Sequence, residues 1–312
     1  MSGAAGPADQ PDNALEDEPG PLHLPEQLVQ EVILSVGDTE AILIGGQALG
    51  LWADQLLDPE QLDELGGPVT SKDVDFFGTV DLARDLAQVF GGRVEIPDMD
   101  HVNTPEAAIV LYERDGRTVQ IDILGCLAGL SNAEVQEGWV DLPYGSGEDE
   151  VVIRVMAPME VLRSRISNIV ILRRRDPNAI RQLRLSPHVV EAYIRQQLDR
   201  ILSVRPEDEP DLIKGLQRST QDLIRELIQH GRSQELDRIY LDHGVDLLAH
   251  ALALSDHPAW EPRFADFQIR KAASDGITRR ERRIAERERK DPGFSSARSR
   301  PEADSNDAVG PS

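Results

Sequence analysis

The feature that most constrains the fold of this 312-residue chain is a change of hydrophobic period at Ala157-Pro158. Before it, short runs alternate apolar and polar residues, as in Val119-Gln120-Ile121-Asp122-Ile123 and Val151-Val152-Ile153-Arg154-Val155. After it, apolar residues recur at helical spacing: Val161, Leu162, Ile166, Ile169 and Val170, then Ile180 and Leu183, Val189 to Leu198, Leu212 to Ile228 and Leu236 to Leu254. A period of two buries one face of a strand and a period of 3.6 one face of a helix, so neither pattern can substitute for the other. The pattern predicts an α+β protein. A small mixed β-sheet core spans 25–157, an all-helical part 158–273, and a charged helix with a disordered tail 274–312. Residues 1–24, rich in Gly, Pro, Ala, Asp and Glu, are expected to be disordered.

Within the first half, Leu28, Val32, Ile33 and Val36 predict a helix that stops at Gly37, followed by a buried strand over 41–44. Gly45-Gly46 reads as a turn, and a helix is expected from Gln47. Residues 53–67 form an acidic excursion ending at Gly66-Gly67-Pro68. A strand over 73–77, a helix over 81–90 capped by Gly91-Gly92, and strands over 93–96, 107–111 and 119–123 follow, the last two joined by an Asp115-Gly116 hairpin turn.

The chemistry concentrates at Asp73-Val74-Asp75. Residues two apart on a strand share a face, so this strand presents two carboxylates together while Val74 and Phe76 enter the core. Asp122, on a later strand with Gln120 beside it, supplies a third. Ionised carboxylates held close repel, and water, a basic side chain, a shared proton or a divalent cation can relieve them. Lys72, next to the pair, is placed to damp that repulsion. Glycines ahead of a helix let a backbone approach a phosphate, which the helix N-terminus also favours.

Charge narrows the classes further. The net charge is −23, and residues 1–150 hold 5 Lys and Arg against 31 Asp and Glu, whereas 151–200 hold 10 against 4. An acidic whole argues against sequence-blind nucleic-acid binding, while a local basic stretch can still meet phosphates. Arg163, Arg174, Arg181 and Arg184 interleave with apolar residues, which fits the polar face of amphipathic helices as well as phosphate contact. The segment from Thr278 to Lys290 pairs Glu and Arg at i,i+4 and reads as a self-supporting exposed helix. A lone Cys126 among leucines is expected to be buried, and no stretch is apolar over the ~20 residues a bilayer requires. No membrane contact and a cytoplasmic setting are therefore expected.

Taken in order, Ile-Gly-Gly-Gln-Ala-Leu, Thr-Ser-Lys-Asp-Val-Asp-Phe and Ile-Asp-Ile-Leu resemble the nucleotidyltransferase superfamily, and most closely its minimal bacterial branch that includes the AbiE-type toxins. The resemblance covers roughly residues 40–125 and weakens toward 200. It implies a nucleotidyltransferase core in which Asp73, Asp75 and Asp122 are catalytic and bind Mg²⁺ or Mn²⁺. Gly45 and Gly46, with Lys72, Arg163 and Arg174, would hold a nucleoside triphosphate such as ATP. The acceptor would be tRNA, a protein or a small molecule, and a toxin-like member would have an antitoxin partner. The chain departs from the pattern by inserting residues 53–67, by lacking a Ser after the first glycine, and by placing Arg in every basic position of 163–176. A non-catalytic relative that binds a partner protein, and a Mg²⁺ nuclease, are the alternatives.

Overall fold

The computed structural model describes residues 24–37, 39–69, 73–97, 104–147, 150–204, 209–260 and 265–291. Lys72 and the expected disordered termini, apart from Leu24 and Asp291, lie outside them. The architecture is α+β, with a seven-stranded mixed sheet followed after Met156 by helices alone among the described residues.

Helix α1 (Glu26–Ser35) leads to the short strand β1 (Ile42–Leu43). Helix α2 (Gly45–Leu56) and α3 (Pro59–Glu64) precede β2 (Val74–Phe77), and α4 (Val80–Phe90) precedes β3 (Arg93–Glu95). Strands β4 (Glu106–Arg114) and β5 (Arg117–Leu124) form the expected hairpin. Helix α5 (Asn132–Glu137), β6 (Trp139–Tyr144) and β7 (Val151–Met156) complete this half. The strand order is β3-β4-β5-β2-β1-β7-β6, with β2–β5 and β1–β7 parallel and the other pairs antiparallel.

The alternation on β4 and β5 divides the sheet into two faces. Val74 and Phe76 of β2, Ala108, Val110 and Tyr112 of β4, and Val119, Ile121 and Ile123 of β5 are buried. Each large apolar side chain among them contributes about 1.5–3 kcal/mol of transfer free energy. The polar positions between them carry Asp75, Gln120 and Asp122.

Three local expectations change. The Gly45-Gly46 turn is the first turn of α2 itself, with both glycines buried. Strand β6 and α5 are absent from the sequence reading, since Pro143 interrupts a period-two run; it is tolerated because β6 is the edge of the sheet. Cys126 is exposed, not buried, because it lies between β5 and a Leu127–Leu130 bridge in which Leu130 takes the core position.

The later helices are α6 (Pro158–Val170), α7 (Pro177–Ser203), α8 (Pro210–Gly231), α9 (Gln234–His243), α10 (Leu247–Leu254) and α11 (Ala265–Lys290), with a 3-10 turn at Pro258–Trp260. The two periodic runs at Ile180-Leu183 and Val189–Leu198 are one helix, α7, that passes through Pro187. Proline removes the amide that would bond the Leu183 carbonyl, and the Ser186 hydroxyl donates to that carbonyl at 3.1 Å instead. These helices surround a second apolar cluster containing Leu183, Ile194, Leu227, Leu248 and Trp260, while Val161, Leu185 and Val189 join the cluster of the sheet.

Helix α11 is not the self-supporting exposed helix that its i,i+4 pattern predicts. Arg280 grips both oxygens of Asp246 at 2.6 and 2.7 Å and stacks over Tyr240, and Arg283 grips both oxygens of Asp237 at 2.7 and 2.8 Å. Two arginines that a pattern reading assigns to solvent hold the helix down.

Candidate metal centre

Parallel pairing of β2 with β5 sets Asp75 directly opposite Asp122. Asp73 reaches the same point, since it sits just before β2 and two residues from Asp75. One carboxylate oxygen from each of Asp73, Asp75 and Asp122 lies within 4.8 Å of the others. Among the described residues no other group of three His, Cys, Asp or Glu side chains converges this way.

The electrostatics register the crowding. Burial, reinforced by Asp73 and Asp122, pushes Asp75 up to about 7. Burial also raises Asp122 to about 6; the Gln120 hydrogen bond to Asp122 Oδ1 at 2.7 Å opposes the rise, and Asp73 and Glu106 add to it. Asp75 and Asp122 therefore hold protons closer to neutrality than ordinary carboxyls do, and hard oxygen donors at this separation suit a divalent cation that would displace those protons.

The glycine helix start lies against this cluster. The Ile44 amide donates to the Asp75 carbonyl at 3.0 Å, fixing the end of β1 beside β2. Gly45 has φ +70°, and a Cβ there would fall 2.1 Å from Asp75 Oδ2. Only glycine meets both the left-handed backbone and the contact. The first amides of α2 have no intrahelical acceptor, and they project at the end of the helix that favours negative charge. The other end is pinned by Trp52, whose indole N–H donates to the Met156 carbonyl at 2.9 Å.

The arginines separate by helix face. Arg163 and Arg165, two residues apart on α6, point about 200° from each other. Arg163 bonds Glu134 of α5 at 2.6 Å and approaches Glu226 of α8 at 3.6 Å, so its charge is committed to an ion-pair network. Arg165 is buried and acts on Asp75, lowering its pKa, while burial holds Arg165 itself down at about 10. Gln182 and Ser164 accept hydrogen bonds from it at 2.6 and 3.3 Å. Arg174 is exposed and also acts on Asp75. It follows Arg173, which adopts a left-handed φ of +56° as the chain leaves α6. The structure thus brings Asp73, Asp75, Asp122, Gly45 and Gly46 together, keeps Arg174 within electrostatic reach, and sends Arg163 elsewhere. Arg165 and Gln120 enter the site as supports.

The inserted residues 53–67 continue α2 and form α3. They are held to α7 by the Arg181 guanidinium, which donates to the Gly67 and Pro68 carbonyls. Arg181 is thereby a structural strut. No helix among the described residues is long and apolar enough to cross a membrane. Comparison with protein-family models, with curated proteins and with solved structures returned no match for this chain.

Proposed function

We propose that the chain is a Mg²⁺-dependent nucleotidyltransferase whose core is the sheet with its flanking helices, and that the helices after Pro158 form a second, helical domain. The observation that carries the reading is the convergence of Asp73, Asp75 and Asp122 from neighbouring strands onto the glycine start of α2. The donor set fits Mg²⁺ or Mn²⁺, because all three groups offer carboxylate oxygen and no soft ligand is present among them. When bound, such an ion neutralises triphosphate charge and stabilises the departing pyrophosphate.

The chain's own groups account for the remaining requirements. The Gly45-Gly46 backbone and the α2 N-terminus favour phosphate oxygens. Arg174 on the rim, and Arg165 behind Asp75, offset negative charge as the triphosphate enters. The acceptor hydroxyl oxygen forms a bond to the α-phosphorus, the bond to the pyrophosphate oxygen breaks, and the hydroxyl proton passes to a carboxylate. Asp122, oriented by Gln120, is the group assigned that proton. The acceptor is an RNA, protein or small-molecule hydroxyl.

The test is incubation with each α-labelled nucleoside triphosphate, Mg²⁺ and total RNA or lysate, comparing wild type with Asp73→Ala/Asp75→Ala. Label transfer by wild type alone is expected. No transfer from any nucleotide, with equal nucleotide-induced thermal stabilisation in both proteins, would overturn the reading.

A further inference from the structure

The three carboxylates of the candidate centre are not fixed by the same forces. Asp75 and Asp122 stand opposite each other in the β2–β5 ladder. Asp73 stands outside it, because the ladder begins with Val74 against Ile121. Strand pairing therefore aims two of the donors, and the third is aimed by whatever holds the chain as it enters β2. A donor set this small depends on that aim, since a ligand displaced by more than about 0.5 Å is poorly placed for the ion.

The holding points lie at residues 66–69, the last described residues before Asp73. Arg181, on α7, donates from Nη2 to the carbonyls of both Gly67 and Pro68. Gly66, with φ +101°, carries the chain out of α3 against this guanidinium, and a Cβ there would fall 3.1 Å from Arg181 Nε. Val69 then packs on α2, its Cβ 3.4 Å from the place a Gly50 Cβ would take. Helices α2 and α7 are themselves joined by Trp52 and Tyr193, edge to face at 5.5 Å. The chain leading to Asp73 is thus caught between two helices of one frame, and the first residue of α2, Gly45, abuts Asp75 at the site itself. Arg181 Nε is buried without a partner among the described residues, a desolvation that the other donors must offset. With Glu60, Asp63 and Glu64 all on α3, the guanidinium nevertheless goes to two main-chain carbonyls. That choice fixes a backbone rather than neutralising a charge.

On the reading of Asp73, Asp75 and Asp122 as a metal centre, we propose that Arg181 is the positioning residue for Asp73. By holding the Gly67 and Pro68 carbonyls it fixes where the chain enters β2, and so aims the one carboxylate of the trio that the ladder does not. The inserted residues 53–67 then have a role at the site, since their last turn supplies the grip. The helices after Pro158 contribute to metal affinity through α7 without touching the ion.

The test is Mn²⁺ affinity of the full chain by electron paramagnetic resonance, taken per folded molecule below each variant's Tm. Arg181→Met should bind Mn²⁺ about 10–100-fold more weakly than wild type, the usual cost of removing a support behind a metal ligand. Arg181→Lys, which keeps a charged donor, should fall between them. Gly66→Ala puts a side chain on a left-handed backbone and against Arg181 Nε, so it should reproduce the loss with Arg181 intact. Arg163→Met, which removes an arginine committed to Glu134 and Glu226, should bind as wild type does. In the metal-free ¹⁵N-labelled chain, Arg181→Met should shift the Asp73 amide while the Asp75 and Asp122 amides, held in the ladder, stay in place. Saturable binding by wild type with Arg181→Met within about twofold of it, an equal loss in Arg163→Met, or an unmoved Asp73 amide would overturn the role of Arg181 alone. No saturable binding by wild type would instead overturn the metal centre on which that role depends.

Discussion

Two sets of aspartates in this molecule are withdrawn from solvent, and they are treated in opposite ways. Asp237 and Asp246 each receive a bidentate arginine from α11, and Arg280 with the backbone amides of Leu248 and Ala249 holds the Asp246 carboxyl below its ordinary value despite burial. Asp75 and Asp122 have Asp73 for company and rise to about 7 and 6. Arginines are abundant in the second half, and one of them, Arg165, reaches Asp75 without cancelling its burial. A carboxylate given its own guanidinium fastens a helix; three carboxylates turned on one another have no such partner, which is the arrangement the proposed cation would complete.

The largest effect that would break this contrast is catalytic. Asp75→Asn should lower nucleotidyl transfer by about 10⁴-fold, read as initial rates of label transfer, while leaving the metal-free protein as stable as wild type or more so. Asp237→Asn should do the reverse. It leaves Arg283 without its partner beside a wholly buried side chain, costing about 3 kcal/mol in chemical denaturation, with transfer per folded molecule unchanged. Glu160 is an intermediate case, since it shares Arg163 with Glu134 and Glu226 and burial raises it to about 7. A folded-state pKa above the unfolded one gives stability that is complete below about pH 4.5 and is lost as pH rises through 7. Glu160→Gln should therefore match wild type near pH 4 and exceed it by about 1–3 kcal/mol at pH 8, measured by denaturation at both pH values. The smallest effect is at Arg163, whose partner Glu134 is 44% exposed. Arg163→Met should cost less than about 1 kcal/mol and change transfer less than Arg165→Met, which unbalances Asp75 directly.

Much of the sheet and the carboxylate trio is legible because both follow from a period of two. Asp73 and Asp75 share a face by spacing, and Asp122 stands out as an acid between Ile121 and Ile123. Which strands pair is not written in that period; the β2–β5 register that faces Asp75 with Asp122 comes from tertiary packing. Gly45 reads as a turn because glycine punctuates strands and helices alike, whereas its requirement arises from a side chain thirty residues away. Arg163 and Arg165 are indistinguishable by composition. Their separation needs the helix phase, and Ile166, Leu162 and Met159 buried on α6 supply it only once α6 is placed. Helix α11 misleads for a related reason: i,i+4 Glu and Arg suggest internal pairing, but Asp237 and Asp246 on other elements outcompete those contacts. Strand β6 escapes because a proline suppresses the strand signal even where an edge tolerates it.

The most direct measurement of the central claim is Mn²⁺ binding followed by electron paramagnetic resonance, on wild type, Asp75→Asn and Asp237→Asn. Wild type and Asp237→Asn should bind Mn²⁺ saturably, with Mg²⁺ competing, and Asp75→Asn should lose that binding. Equal Mn²⁺ binding by wild type and Asp75→Asn, or no saturable binding by wild type, would contradict the assignment of Asp73, Asp75 and Asp122 as the metal centre.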